Sequence, residues 1–160
     1  MGDIDIGAGA TDRNTDQNAS DTLYSQENPA NDTGALDSFE GWAVTDITNC
    51  KMGTASFSGN DSTPTDSCVV GDITAGSKQT FNGLDCDVNS GDYLGVYCDS
   101  GNWEEDSPTG GGGYWYNATD QLASPASFLS YPTRAISIYA TGSTPSVGGR
   151  RGTQVIIAGM

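Results

Sequence analysis

The chain of 160 residues contains no histidine, and this absence excludes several kinds of site. Ser-His-Asp and Cys-His nucleophilic sites need an imidazole to accept and return a proton, and histidine metal sites need it as a ligand. The sequence also lacks a phosphate-binding loop and a dinucleotide fingerprint, because the glycines at 110–113 are not set between a strand and a helix. We predict that the protein is not an enzyme and holds no cofactor or metal.

Basic residues are scarce as well. Six lysines and arginines stand against 21 acidic residues, which gives a formal net charge of −15. Residues 143–160 contain no acid and two of the basic residues, so residues 1–142 carry −17. A surface with this charge repels nucleic-acid phosphates and anionic lipids. We therefore expect no binding to nucleic acid or membranes. The charge either serves solubility or attracts cations or a basic partner.

Long apolar runs are missing too. No segment approaches the roughly 20 apolar residues that cross a bilayer. The residues after Met1 lack the basic start and the apolar core of a signal peptide. The sequence thus predicts synthesis in a cytoplasm, without an export signal.

Helix-forming patterns are the last absence. No window carries a sustained apolar stripe of helical period, whereas Gly, Ser, Thr, Asn and Asp are abundant and favour turns. Short alternating stretches between turn signals predict an all-β fold, a two-sheet antiparallel β-sandwich with jelly-roll-like connections, over residues 1–142. The predicted strands cover residues 3–6, 22–25, 35–45, 50–58, 67–73, 79–81, 84–88, 93–98, 114–116 and 135–140.

Four cysteines form an even set that allows three pairings. Their spacing contains no Cys-x-x-Cys, and without histidine a structural zinc site is not expected. Pairing of neighbours in sequence, Cys50 with Cys68 and Cys86 with Cys98, would join adjacent strands of successive hairpins. Disulfides and buried free thiols both remain open, and disulfides fit a particle outside the cell.

Residues 143–160 predict a Gly/Ser/Pro linker followed by an extended C-terminal arm. Arg150 and Arg151 precede an apolar, β-branched run, Val155, Ile156 and Ile157. An exposed strand of this kind aggregates unless it is covered. We expect it to pack on the sheet edge of a neighbouring copy, with the arginines facing the acidic body. The alternative is that the arm folds back onto its own domain.

Aromatic and acidic residues between 103 and 116 suggest two further sites. Trp103 and Trp115 could stack on sugar rings, with the neighbouring carboxylates accepting hydroxyl hydrogen bonds; the alternative places Tyr114 and Tyr116 in the core. The acids at 104–106 are adjacent in sequence, which does not supply the two facing carboxyls of a glycosidase. Loop aspartates could bind calcium, although no EF-hand spacing occurs; the candidates are Asp61, Asp66, Asp85, Asp87, Asp92 and Asp99.

Several motifs resemble a family of small β-sandwich proteins that are common in tailed-bacteriophage genomes and viral metagenomes. They are DIGAGATDRN at 5–14, NPANDTG at 28–34, AGSKQTF at 75–81, GDYLG at 91–95 and ISIYATG at 136–142. The motifs specify turns and core strands and name no activity. The resemblance spans residues 4–142 and implies a role on the virion surface, as a capsid decoration or fibre-type protein. The four cysteines and residues after 142 depart from it.

The sequence thus predicts a non-enzymatic virion structural protein, a phage capsid decoration or cement protein or a fibre-type surface protein. It would assemble through its termini with copies of itself, or with capsid or fibre proteins. A self-assembling extracellular filament subunit, which would donate the arm or the 3–6 strand to the next copy, is one alternative. A carbohydrate-binding module or adhesin that uses Trp103 and Trp115 is the other.

Overall fold

The computed structural model describes residues 2–145, and within them the fold is all-β, as predicted. No helix in that range is long and apolar enough to cross a membrane. Thirteen strands follow one another: β1 (Asp3–Gly7), β2 (Thr15–Asn18), β3 (Thr22–Ser25), β4 (Gly34–Ser58), β5 (Asp61–Ile73), β6 (Lys78–Val88), β7 (Tyr93–Tyr97), β8 (Ser100–Asp106), β9 (Tyr114–Asn117), β10 (Ala126–Ser127), β11 (Leu129–Tyr131), β12 (Ala135–Ile136) and β13 (Ile138–Ser143).

The strand β4 is 25 residues long and organises the sheet. Its first part pairs with β6 and β13, its middle with β8, and its last part with β5 and β7, always antiparallel. Through these pairings all thirteen strands join one antiparallel sheet, with a main order β1-β13-β4-β7-β3-β9-β11. The two-sheet jelly-roll arrangement stays a prediction.

The change of partners along β4 coincides with an irregular backbone. The register shifts around Cys50, and Asn49 has a φ of +49°. Asparagine tolerates this left-handed conformation better than most residues, because its short polar side chain can hydrogen-bond locally. The single strand replaces the two strands predicted at 35–45 and 50–58, which were wrongly separated at residues 46–49.

Other predicted boundaries are corrected in the same way. The strands expected at 79–81 and 84–88 form one strand, β6, and residues 99–113, where no strand was expected, contain β8. The strand expected at 135–140 is divided at Ser137 into β12 and β13. Residues 22–25 form the predicted strand. These differences concern where strands begin, end or continue, because that depends on pairing with strands that are distant in sequence.

The N-terminal strand lies within the sheet of its own chain. β1 pairs with β13 along its whole length. Its outer side is covered by residues 28–31: the Asn31 amide bonds the Asp5 N–H and the Asp3 carbonyl, each at 3.0 Å, and the Gly7 N–H donates to Asn28 O. The structure therefore gives residues 3–6 an intramolecular place, contrary to the strand donation considered for a filament.

The core consists of two apolar clusters. The larger includes Ile4, Ile6, Leu36 and Phe39, and the smaller is aromatic and includes Tyr24 and Phe128. β7 lies between β4 and β3, and its alternating Leu94 and Val96 are fully buried. The division of the chain at residue 142 stays a prediction, because Arg150, Arg151, Val155, Ile156 and Ile157 lie outside the described residues.

Gly95 on β7 provides a test of this packing. A Cβ at Gly95 would lie 2.4 Å from a Tyr24 ring carbon, so Gly95→Ala must displace a fully buried ring. We expect it to lower the free energy of unfolding by about 1–3 kcal/mol, measured by urea denaturation. Gly2→Ala is the control, because its Cβ meets only ordinary contacts of 3.6 Å or more. Equal stability of the two variants would contradict the close packing of β7 on β3.

Candidate functional site

The strand β8 carries Trp103 and the three acidic residues singled out in the sequence. It is held between β2 and β4 and also pairs with β12. Side chains alternate along a strand, so Glu104 and Asp106 share one face, and Trp103 and Glu105 share the other. Trp103, Glu104 and Glu105 are all buried. An acidic run that looked like a solvent-exposed loop is therefore part of the folded interior.

Arg13 neutralises the face of Glu104 and Asp106. Its Nη1 lies 2.6 Å from Asp106 Oδ2, and its Nε donates to Ser137 Oγ at 2.7 Å. Its backbone N–H donates to Glu104 Oε2 at 3.0 Å, and Nη2 donates to the Gly9 carbonyl at the same distance. The Arg13 side chain is only 9% exposed. These bonds attach the long connection between β1 and β2 to the body.

The opposite face of β8 is organised around Glu105. The Tyr114 hydroxyl donates to its carboxylate, the Thr15 hydroxyl lies at 3.2 Å, and Arg134 Nη1 lies at 3.4 Å. Burial, followed by the bond to Glu105, raises the pKa of Tyr114. The buried carboxylate thus has three polar neighbours, as a buried charge requires.

These contacts give each acidic side chain of β8 a hydrogen-bonding partner within the protein. Glu104 and Glu105 point to opposite faces of one strand, and each is hydrogen-bonded by its own set of partners. A glycosidase holds two carboxyls about 5–9 Å apart across a shared sugar. Glu104 and Glu105 do not form such a pair. Glu104 and Asp106 share a face, but Arg13 binds both of them, so the contacts favour a structural role for all three acids.

The two tryptophans proposed for glycan binding are corrected by their burial. Trp103 is fully buried in the larger core cluster, against Phe39. Trp115 is 8% exposed; it stacks on Phe57 with ring centroids 3.8 Å apart and donates from Nε1 to Asn60 Oδ1. Neither indole presents a flat face to a sugar. The alternative, which placed both Tyr114 and Tyr116 in the core, was also partly wrong. Tyr114 is in the core, but Tyr116 is only half-buried.

A second aromatic group was not anticipated from the sequence. Tyr116 stacks on Tyr131 at 4.7 Å, and the Arg134 guanidinium lies 4.1 Å from the centre of the Tyr131 ring. The group forms because β9 and β11 are adjacent strands and set Tyr114 opposite Tyr131 and Tyr116 opposite Leu129. In the sequence, the only indication of this group was the aromatic content of β9, and it did not show which residues the rings would contact.

Two of the aspartates considered for calcium accept hydrogen bonds from groups of their own chain. Asp92 is buried, and its Oδ2 accepts from Thr65 Oγ1 at 2.7 Å and from the Asn89 N–H at 2.9 Å. Asp66 Oδ2 accepts from the Asp87 N–H at 2.9 Å. In residues 2–145 no group of three or more acidic, cysteine or histidine side chains converges on a point where an ion could bind.

The four cysteines are free thiols, and their neighbours differ from the local pairing considered in the sequence. Cys50 adjoins Cys98, and Cys68 adjoins Cys86. The fold therefore does not bring Cys50 next to Cys68, or Cys86 next to Cys98. The reason is the topology: the last part of β4 has β7 on one side and β5 on the other.

The contacts of Arg13 predict a large effect of its truncation. Arg13→Ala would leave Asp106 without its ion-pair partner, would remove one of the two hydrogen bonds of the Ser137 hydroxyl and would release the preceding loop. We expect the free energy of unfolding to fall by about 2–4 kcal/mol, measured by urea denaturation followed by tryptophan fluorescence. Lys78→Ala is the matched control: Lys78 is about half exposed, and its ion pair with Glu40 is 3.6 Å long. The control should change stability by less than about 1 kcal/mol. Similar losses in the two variants would contradict a special role for Arg13.

Two buried phenols predict a loss of stability in alkali. Burial raises the pKa of Tyr24 and of Tyr114, in each case aided by nearby acidic groups. Below the ordinary tyrosine pKa near 10 this contribution is fully present, and it is lost as the pH rises further, because only the unfolded chain then releases the protons. The slope is about 1.4 kcal/mol per pH unit for each proton.

Urea denaturation between pH 9 and about 11.5 would measure this dependence. Tyr24→Phe and Tyr114→Phe should each flatten the decline relative to the parent protein. An unchanged slope in both core variants would show that the phenols do not control alkaline unfolding.

Comparison with known proteins adds no relative to this description. The chain matches no protein-family model, and neither curated proteins nor solved structures give a match. The likeness to small β-sandwich proteins of tailed phages therefore rests on the sequence motifs alone and stays a prediction.

Proposed function

We propose that the chain is a non-enzymatic structural protein of a virus particle, a capsid decoration or cement protein or a fibre-type surface protein, that assembles through its termini. The observation that supports this most is the position of the chain ends. The Gly2 N–H donates to Thr144 Oγ1 at 2.7 Å, and the Thr144 N–H donates to the Gly2 carbonyl at 3.0 Å. Both ends of the described range, Gly2 and Thr144, therefore lie together, so contacts made at either end would use one small region of the body.

The same end of the body contains a groove. It has a volume of about 600 Å³ and is lined by β4, β6 and the last described residues, including Gly34, Ala35, Val88 and Pro145. In the proposal, Val155, Ile156 and Ile157 of one copy pack into this groove or along the adjacent strands of another. Burial of these apolar side chains supplies the energy, at roughly 1.5–3 kcal/mol for each fully buried residue.

Electrostatics favours the same contact. Each of the four basic side chains in residues 2–145 lies against a carboxylate: Arg13 with Asp106, Lys51 with Asp120, Lys78 with Glu40 and Arg134 with Glu105. Most of the 21 acidic residues consequently keep their charge uncompensated. Arg150 and Arg151 of a second copy would be attracted to this surface. Exposed pairs add little energy, so they orient the encounter more than they stabilise it.

Deletion of residues 146–160 tests the assembly role, with molar mass measured by light scattering. We expect the full chain to form oligomers and the shortened chain to be monomeric, with an unchanged circular dichroism spectrum because the described body stays intact. A variant with Val155, Ile156 and Ile157 all changed to Ser keeps the length and should behave like the deletion.

A charge variant separates the two contributions. Arg150→Gln with Arg151→Gln should weaken assembly at low salt and have little effect at high salt, where screening already removes the attraction. Oligomers of unchanged mass after the deletion would reject the donor role of the arm. They would leave a virion role to be judged by electron microscopy of the source particles.

The filament alternative uses the same contact with a different symmetry. A head-to-tail exchange of arms closes into a ring if the rotation permits and otherwise continues as a filament. Electron microscopy of the assembled protein distinguishes these outcomes. The glycan-binding alternative receives no support from Trp103 and Trp115, since both indoles are packed in the core.

A further inference from the structure

The fold brings the four thiols together in two pairs from strands that are distant in sequence. In the ladder between β4 and β7, Lys51 is opposite Tyr97, so the next pair along is Cys50 and Cys98. The Cys98 N–H points away from β4 and donates to Ala19 O. Cys50 and Cys98 are therefore opposite each other at a position where no backbone hydrogen bond joins β4 to the other strand. Cα atoms at such positions are about 4.5 Å apart, within the roughly 4.4–6.8 Å range of disulfides.

The side chains of this first pair face the same way. Along their strands, Cys50 alternates with Met52, and Cys98 with Val96, and all four side chains are fully buried in the larger core cluster. The Cys50 and Cys98 thiols are neighbours within this cluster. The pair therefore has the separation and direction that a bond between the sulfurs requires.

The second pair joins two strands that have no ladder between them. Cys68 lies on β5 opposite Met52, and Cys86 lies on β6 opposite Leu36, so both strands are paired with β4 and not with each other. β5 and β6 meet near these residues, where the Asp87 N–H donates to the Asp66 carboxylate. The Cys68 and Cys86 thiols are neighbours at this junction.

We propose that these cysteines form two disulfides, Cys50–Cys98 and Cys68–Cys86, when the protein meets a low-molecular-weight disulfide oxidant. In each case a thiolate attacks the oxidant and displaces one thiol, and the second cysteine attacks the mixed disulfide and displaces the other. One S–S bond forms in the protein and one is broken in the oxidant. The two electrons and two protons of the cysteine pair end on the two released thiols.

The two bonds form at different rates in the folded protein. Cys68 is half-buried, and its hydrogen bond with Cys86 lowers the pKa of Cys68, so it is the first thiol to react. Burial raises the pKa of Cys50 well above its usual value, and both members of that pair are inaccessible. The Cys50–Cys98 bond therefore forms during folding or on transient opening. The bonds suit an oxidising exterior and are independent of the arm-mediated assembly proposed above.

The experiment is refolding of the full chain from denaturant in a mixture of reduced and oxidised glutathione, followed by non-reducing digestion and mass spectrometry. Cleavage at acidic residues separates all four cysteines, because Asp66, Asp72 and Asp87 lie between successive members. The expected products are a Cys50–Cys98 peptide and a Cys68–Cys86 peptide, with no free thiol. The oxidised protein should melt roughly 5–10 °C higher for each bond than the reduced protein.

Two cysteine variants test the pairs separately, even if one substitution in the core prevents folding. Cys68→Ser should abolish the second bond and leave Cys50–Cys98 intact, and Cys98→Ser should do the converse. If the buried Cys98→Ser chain does not fold, Cys68→Ser alone still tests independence of the pairs. A peptide linking Cys50 to Cys68 or Cys86 to Cys98, or four free thiols after refolding with the oxidant, would overturn the proposal.

Brief exposure of the already folded protein to oxidised glutathione tests the order. The Cys68–Cys86 peptide should appear before the Cys50–Cys98 peptide. The reverse order would contradict the assignment of Cys68 as the reactive thiol.

Discussion

The antiparallel pairing of β4 with five other strands is the constraint on which the rest of the structure depends. Its ladders with β6 and β13, then β8, then β5 and β7 hold together segments from almost the whole described chain. Because backbone groups in a core must find partners, any displacement of β4 would leave several strands unpaired. The change of partners around Asn49 also sets where β8 lies and which cysteines meet. The candidate site and the thiol pairs are both consequences of this one strand.

The charges inside the body follow from the need to compensate buried carboxylates. Arg13 and Arg134, half of the basic residues in residues 2–145, lie against the acids of β8. An ionised side chain is tolerated away from water only when it is paired and hydrogen-bonded. Two of the few basic residues are therefore paired with acids of β8, and Arg13 also attaches the connection between β1 and β2 to this strand. The surface of the body stays strongly acidic.

Particular residues show how far the sequence could predict the fold. The alternation of Leu94 and Val96 after the turn at Gly91 predicted β7 correctly, because one buried face produces a period of two. The division of β4 was wrong, because the polar residues Asp46, Thr48 and Asn49 resemble a turn when the partners on either side are unknown. Trp103 illustrates the same limit: next to three acids it looks exposed, yet β8 is an interior strand in which Arg13 and Tyr114 satisfy the carboxylates.

The sequence by itself determined the class of the fold and the distribution of charge. Residue alternation, turn residues and the absence of helical periodicity act locally, and they lead to an all-β body with an acidic surface. Only the tertiary structure decided which residues meet: Cys50 with Cys98, Arg13 with Asp106, and Gly2 with Thr144. These contacts join positions from 48 to 142 residues apart, and local patterns do not encode such distances. Strand order sets them, through the hydrogen bonds and side-chain packing of the whole sheet.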